Sequence, residues 1–278
     1  MQHILIPTDF SENAWNAIRY ALFFFEGKTV TFHLLHIDIT QATREDKYLN
    51  TAGIFPKREN TEQLYEQLDK LEEKIYANFT NNRHIFVKEV VTSPFISGIR
   101  EYVTAKNIRL IVMGTKGASG LKEITIGSKT GAVITKVKCP ILVIPEEAKF
   151  KVPVHIGFPT DFNLLYKQSI INTLLKISEV HNTSIKVLRV AQTQQPLDEF
   201  QNRNRDFLKE HLKEVPNSFH VVENLNLENA LEDFVTTMNI DVVAMIAKNL
   251  NFFQRILLKP KVARLSYHIK IPFLVLHE

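Results

Sequence analysis

The segment Leu110–Gly117, LIVMGTKG, decides the fold of this chain. Its first four residues form a short apolar run of the kind that is buried on both faces of a parallel sheet. Gly114 ends this run where the chain has to turn. Glycines beside a helix N-terminus let backbone N–H groups approach an anion closely, and the helix dipole favours negative charge there. The segment therefore predicts a parallel α/β fold with a candidate triphosphate-binding turn.

The turn continues at Gly127-Ser128, nine residues beyond Gly117. Ser128 is predicted to be the N-cap of a helix in which Val133 and Ile134 have helical spacing with Val137. The glycine spacing matches neither the P-loop nor the dinucleotide fingerprint. Taken alone, these glycines either bind phosphate or only form tight turns, and both interpretations stay open.

The full pattern, Gly114-x2-Gly117-x9-Gly127-Ser128, resembles the nucleotide-binding signature of the universal stress protein family. His3–Ser11, Leu34–Asp38 and Lys138–Pro145 resemble that family's first, second and last strands, in the same order. The resemblance implies that the first half of the chain binds an adenine nucleotide, ATP with or without magnesium. It also implies a cytoplasmic stress-response protein in which bound nucleotide modulates a protein partner.

The resemblance also implies individual contacts. The adenine base would be contacted by Pro7, Thr8, Asp9 and Ile37. The ribose and phosphates would be held by Met113, Gly114, Thr115, Gly117, Gly127, Ser128 and Lys129. Ser128 and Thr130 offer hydroxyls, and either Lys116 or Lys129 would offset phosphate charge unless it lies in solvent. For Asp9, position alone leaves two roles open: a hydrogen bond from the adenine amino group, or capping of the helix that begins near Ser11.

An internal repeat sets the domain organisation. Pro7–Phe10, PTDF, recurs 152 residues later as Pro159–Phe162, and Ile108–Met113 aligns with Ile240–Met245 132 residues later. The chain is therefore a tandem duplication, with expected domains at 1–148 and 149–278. The polar segment 40–60 is the expected extra loop of the first half.

Each repeat alternates strand and helix, which predicts a five-stranded parallel sheet with helices on both faces. This is a Rossmann-like fold, and the family resemblance implies its adenine nucleotide alpha-hydrolase-like form. Strands are expected near 3–7, 30–37, 84–91, 109–113 and 140–144, then near 154–158, 184–190, 218–223, 241–246 and 272–276. Helices of the first half are expected at 12–25, 61–79, 94–106 and 128–137. Ligands of such sheets lie beyond the carboxyl ends of the strands, which places Asp9, Ile37 and Gly114 around one crevice.

The second repeat has lost the glycines of the motif. Ile246, Asn249, Lys259 and Pro260 stand where the first repeat has Gly114, Gly117, Gly127 and Ser128. A β-branched residue resists positive φ, and proline removes an N–H that a phosphate needs. Phe252 and Phe253 would fill the crevice with apolar surface. The degenerate second repeat is therefore predicted not to bind ATP in the same manner.

Other features exclude several classes of function. The net charge is only +4, because 34 basic residues are nearly balanced by 30 acidic ones. The two kinds of charge are interleaved along the chain, which predicts no nucleic-acid partner. No apolar run is long enough to span a membrane, and the first residues do not form a signal peptide pattern. The single Cys139 is expected to be a buried hydrophobe in a reducing compartment.

Catalysis finds little support in the sequence. No nucleophile motif or metal-ligand cluster is present, and alternation places His33 and His36 on opposite faces of one strand. A binding protein is therefore expected, and a slow nucleotide hydrolase and a nucleotide-free scaffold remain the alternatives. The last strand of each repeat would leave an apolar sheet edge, which either an intramolecular pseudo-dimer or a homodimer would cover.

Overall fold

The computed structural model describes residues 2–39, 61–115, 127–191, 196–223, 227–247 and 270–277. Within these ranges the chain forms two compact units. The first comprises the described residues up to 139, and the second begins at Pro140. No helix in the described ranges is both long enough and apolar enough to cross a membrane.

The described residues of the first unit form four parallel strands and four helices. The strands are β1 (Gln2–Pro7), β2 (Val30–Asp38), β3 (His84–Thr92) and β4 (Leu110–Gly114), in the sheet order β3-β2-β1-β4. The helices are α1 (Glu12–Phe24), α2 (Thr61–Asn78), α3 (Phe95–Ala105) and α4 (Ser128–Lys136). The sheet reverses its direction of growth between β1 and β4, so the topological switch point lies where these two strands end.

Hydrophobic spacing explains why these segments form these elements. On α2 the four buried residues, Leu64, Leu68, Leu71 and Ile75, recur every three or four positions, the period of one helix face. Strand β4 is buried along its whole length, as expected for a strand covered on both faces. The expected strand and helix segments of the first half are therefore confirmed.

Six strands lie in the described part of the second unit. They are β5 (Ile141–Ile144), β6 (His155–Pro159), β7 (Ser184–Ala191), β8 (Asn217–Glu223), β9 (Val242–Ile246) and β10 (Phe273–Leu276), in the order β5-β10-β9-β6-β7-β8. Its helices are α5 (Gln168–His181), α6 (Glu199–Leu212) and α7 (Leu227–Thr237). The expected strands of the second half are confirmed.

The last strand of the first repeat lies in the second unit. β5 pairs antiparallel with β10, with Phe273 opposite Val143 and Val275 opposite Ile141. Every residue of both strands is buried, so this pairing covers two apolar edges that would otherwise be exposed. The expected domain boundary after residue 148 stays a prediction beside these compact units, which divide after Cys139.

Candidate functional site

A cleft opens in the first unit where β1, β2 and β4 end. It encloses about 530 Å³ of empty space, part of it open to solvent. Its described lining is Pro7, Thr8, Asp9, Ala14, Leu35, His36, Ile37, Phe95, Met113, Gly114, Lys129 and Thr130. The cleft therefore lies at the topological switch point, where the sequence placed it.

A tight turn after β1 forms one wall of the cleft. The Asp9 Oδ1 atom accepts hydrogen bonds from the Ser11 backbone N–H at 3.2 Å and from the Ser11 hydroxyl at 2.6 Å. Ser11 is the N-cap of α1, because its Oγ accepts from the Ala14 N–H at 3.2 Å. The interpretation of Asp9 as the helix cap was therefore wrong: Asp9 orients the residue that caps.

His36 lines the cleft, and the sequence did not place it in the site. Its Nδ1 lies 2.9 Å from the Thr8 carbonyl oxygen, so Nδ1 carries the proton and donates. The imidazole also stacks on Phe10, with ring centroids 4.8 Å apart and planes at 19°. Phe10 has φ 61°, in the left-handed region that bulky residues rarely adopt. His36 thus links the end of β2 to the turn after β1, a contact that strand alternation alone does not reveal.

Gly114 is required by close packing against α1. A Cβ atom at this position would lie 2.9 Å from Asn13 Oδ1 and 3.1 Å from the Asn13 carbonyl oxygen. Its φ is not in the left-handed region, so the expectation that this glycine needs positive φ was wrong. The carbonyl of Gly114 accepts a hydrogen bond from the buried Thr130 hydroxyl at 2.8 Å. Strand β4 is thereby fixed to α1 on one side and to α4 on the other.

The start of α4 forms the second wall of the cleft. The helix begins at Ser128, and Gly127 is its N-cap without any side-chain cap, so the prediction of Ser128 as N-cap was one residue late. The Gly127 N–H donates to the Thr115 carbonyl at 2.6 Å, which joins the two ends of the glycine-rich segment. Ser128 and Lys129 are exposed, and the Lys129 ammonium lies 5.3 Å from the centroid of the Phe95 ring. A helix N-terminus with a cation beside it is a setting that suits an anion.

The structure brings most of the predicted site residues together. Seven of them line the cleft: Pro7, Thr8, Asp9, Ile37, Met113, Gly114 and Lys129. Thr115, Gly127 and Ser128 lie at the joined ends of the glycine-rich segment. Gly117 and Lys116 lie outside the described residues. Of the replaced positions in the second repeat, only Ile246 is described, and it is 6% exposed; Asn249, Phe252, Phe253, Lys259 and Pro260 lie outside those ranges.

The buried titratable groups of the first unit lie away from the cleft lining. The two ring nitrogens of His33 form hydrogen bonds: Nε2 lies 2.9 Å from Nδ1 of His3, and Nδ1 lies 3.0 Å from the Tyr102 hydroxyl. Burial, with the nearby His3 and Lys106 charges, lowers the pKa of His33 to about 4. Burial raises the pKa of the Cys139 thiol to about 12, in line with the expected inert hydrophobe. Across the described ranges, no three His, Cys, Asp or Glu side chains gather in a metal-binding group.

Comparison with known proteins finds relatives of the first half of the chain. A family model described as the universal stress protein family matches residues 1–145. Universal stress protein MJ0577 of Methanocaldococcus jannaschii is 30% identical over 154 residues, which cover 51% of this chain and 93% of the relative. Universal stress protein MJ0531 of the same organism is 27% identical over 149 residues, which cover 52% and 83%.

One solved structure extends the likeness to both repeats. A universal stress protein from Archaeoglobus fulgidus matches with a TM-score of 0.65 and 16% identity, over 98% of this chain and 97% of its own. At that identity the likeness concerns the fold. The matched relatives of known sequence, by contrast, each span about half of this chain.

Proposed function

The chain belongs to the universal stress protein family, and on that premise we propose that it binds one adenine nucleotide, ATP, in the cleft of its first repeat. The observation that supports this most is the convergence of the glycine-rich segment with the turn after β1. Met113 and Gly114 come from the start of the motif, Lys129 from just beyond its end, and Thr8 and Asp9 from the turn after β1, and all line one cleft.

The part of the cleft near β1 and β2 suits a planar base. Leu35, Ile37 and Met113 provide apolar walls, and Asp9 and Thr8 supply a few polar atoms. Apolar walls with a small number of convergent polar groups are the usual composition of a small-molecule site. We place the adenine there, with Pro7, Thr8, Asp9 and Ile37 as its contacts.

The part of the cleft near α4 suits the phosphates. The backbone N–H groups of the first helical turn have no side-chain cap, and Ser128 and Lys129 are exposed beside them. Phosphate oxygens accept hydrogen bonds from such N–H groups, and the helix dipole and the lysine lower the cost of their charge. We therefore assign the ribose and phosphates to Met113–Thr115, Gly117 and Gly127–Lys129.

Magnesium fits this site only as a companion of the nucleotide. The described residues offer no group of carboxylates to hold the ion, and the Thr130 hydroxyl already donates to the Gly114 carbonyl. Bound magnesium would neutralise part of the triphosphate charge. The protein's own part is to orient the base and to present the α4 N-terminus and Lys129 to the phosphates.

The proposal is limited to one site per chain and to binding rather than turnover. Ile246 places a buried side chain where the first repeat has Gly114. The wider role is that of a cytoplasmic stress-response protein whose nucleotide occupancy modulates a partner, either as a monomer that acts as a pseudo-dimer or as a homodimer. The domain limits 1–148 and 149–278 belong to the same proposal.

Calorimetric titration of ATP tests this function directly. We expect a stoichiometry of one for the natural chain and a loss of binding of at least about tenfold in Gly114→Ala, because the new methyl group displaces Asn13 and the wall of the cleft. Gly27→Ala is the matched control, since a Cβ at Gly27 meets nothing within 4 Å. No heat of binding at millimolar ATP, or two sites per chain, contradicts the proposal; steady phosphate release points to the hydrolase instead.

A further inference from the structure

A second cavity lies between α1 and α2 in the first unit. It is lined by Thr8, Phe10, Ser11, Trp15, Gln67, Lys70, Leu71 and Lys74. Thr8 is common to both cavities, whereas Asp9 lines the cleft and Phe10 lines the second cavity. The turn after β1 therefore separates two spaces, and the nucleotide proposal uses one of them.

The charged residues that line this cavity are both lysines. Among its described lining residues there is no carboxylate, while Lys70 and Lys74 contribute two ammonium groups. Lys74 lies 3.8 Å from the carboxylate of Glu12, whose side chain is 89% exposed, so that ion pair is weak. Lys70 has no ion-pair partner in the part of the chain that the structure describes. The amide of Gln67 adds a hydrogen-bond donor to the same wall.

The apolar part of the lining consists of Phe10, Trp15 and Leu71, and Thr8 and Ser11 add hydroxyl groups beside it. Trp15 is half-buried, and the Lys74 ammonium lies 4.2 Å from the centroid of its ring. Leu71 is 8% exposed and closes the cavity on the α2 side. Phe10 adds a further ring from the turn. The cavity thus combines two exposed cations with three apolar or aromatic side chains.

The second repeat shows the same turn with this space filled. There Tyr166 is 4% exposed and stacks on Phe207 of α6, with ring centroids 6.5 Å apart and planes at 14°. Asn204 of α6 donates to the Phe162 carbonyl at 2.8 Å, and Gln201 donates to the Asp161 carbonyl at 3.0 Å. The helix after the second strand therefore seals the turn in the second repeat. In the first repeat the corresponding helix, α2, leaves a lysine-lined opening.

We propose that this cavity binds a small organic anion, a phosphate or carboxylate attached to an apolar group. Lys70 and Lys74 hold the anionic group and Gln67 donates a hydrogen bond to it. Phe10, Trp15 and Leu71 contact the apolar part. This site shares Thr8 with the nucleotide cleft, but the proposal does not depend on nucleotide binding there.

The only tryptophan of the chain lies in this cavity, so its fluorescence reports on the site. We expect phenyl phosphate to change the Trp15 emission saturably and phenol to have no such effect, with benzoate as the arm that tests a carboxylate. Lys70→Gln is expected to weaken phenyl phosphate binding about tenfold. Lys176→Gln, at an exposed lysine of α5 in the second unit, is the matched control and leaves the affinity unchanged.

Three results would overturn this proposal: no saturable change at millimolar phenyl phosphate and benzoate, an unaltered affinity in Lys70→Gln, or displacement of the probe by saturating ATP. Lys74→Gln removes a cation from the Trp15 ring and so alters the fluorescence signal itself. The affinity of this variant for phenyl phosphate is therefore measured by calorimetry, and we expect it to fall about tenfold as well. Gly114→Ala keeps phenyl phosphate binding while it loses ATP. That contrast separates a failure of this site from a failure of the nucleotide site.

Discussion

The two repeats share one turn and differ in what surrounds it. In the first, the Phe10 N–H donates to the Thr8 hydroxyl at 3.1 Å; in the second, the Phe162 N–H donates to the Thr160 hydroxyl at 3.1 Å. The backbone of both phenylalanines lies in the left-handed region, with φ 61° and 59°. The turn is therefore a structural device of the fold, and an aspartate within it does not by itself indicate a nucleotide.

The end of the fourth strand is where the repeats diverge. Gly114 lets α1 begin at Glu12, so that Asn13 packs against the strand and is 8% exposed. In the second repeat Ile246 fills this position, and α5 begins only at Gln168. Leu165, which the repeat offset aligns with Asn13, is 72% exposed. A single glycine thus correlates with a whole helical turn, and the cleft of the first repeat lies beside that turn.

Exchanging these two residues gives the largest expected effect. Gly114→Ile should abolish ATP binding and destabilise the first unit by about 3 kcal/mol, because the side chain meets both the side chain and the backbone of Asn13. Ile246→Gly should cost about 4 kcal/mol by leaving a cavity, without creating an ATP site. Calorimetry and chemical unfolding measure the two effects. If the Gly114→Ile variant still binds ATP with the affinity of the natural chain, this position does not explain the difference between the repeats.

The sequence predicted the features that depend on neighbouring residues, and it did not predict contacts between residues far apart in the chain. The strands and helices followed from local periodicity, and the repeat followed from Pro7–Phe10 and Pro159–Phe162. The contact of Asn13 with Gly114 and the stack of His36 on Phe10 were not predicted, because they join residues far apart in the chain. The position of the α4 cap also depends on a distant partner, since Thr130 is tied to Gly114.

Acid should destabilise the two units through histidines at different positions. The pKa of His33 is lowered to about 4 by burial and by the nearby His3 and Lys106 charges. Its folded pKa is below the unfolded value of 6.5, so its contribution is constant above pH 6.5 and is lost as the pH falls towards 4. The loss at full protonation is about 3 kcal/mol.

Unfolding free energies measured between pH 7.5 and 4.5 test this loss, and His33→Gln should flatten the profile. His277 of the second unit, whose pKa burial lowers to about 4, should leave a residual slope that His277→Gln reduces. In the second repeat the counterpart of His3 is His155, which pairs with the Ser184 hydroxyl at 2.7 Å instead of with a second histidine. A slope unchanged in His33→Gln would refute the assignment to the first unit.

A further difference concerns the core of the sheet. Gly157 in β6 stands where the repeat offset places Leu5 in β1, and a Cβ at Gly157 would lie 2.9 Å from Phe234 and 3.0 Å from Ile240. Gly157→Ala should therefore destabilise the second unit by about 2 kcal/mol. The measurement is denaturant unfolding beside Gly27→Ala, which has open space. Equal midpoints for the two variants would show that the helix over β6 adjusts without cost.

The smallest expected effect comes from substitutions at equivalent positions of the two turns. Ser11 caps α1 and also donates to Asp9, whereas Asn163 stands in its place and its N–H donates to Asp161 at 3.0 Å. Ser11→Ala should cost about 1 kcal/mol because it leaves the Ala14 N–H without its capping oxygen. Asn163→Ala should be near neutral, since the hydrogen bond to Asp161 comes from the backbone. Thermal unfolding of the two variants measures the difference. If both variants lose the same stability, capping by Ser11 does not distinguish the first turn. The early start of α1 at Glu12 then depends on Gly114 alone.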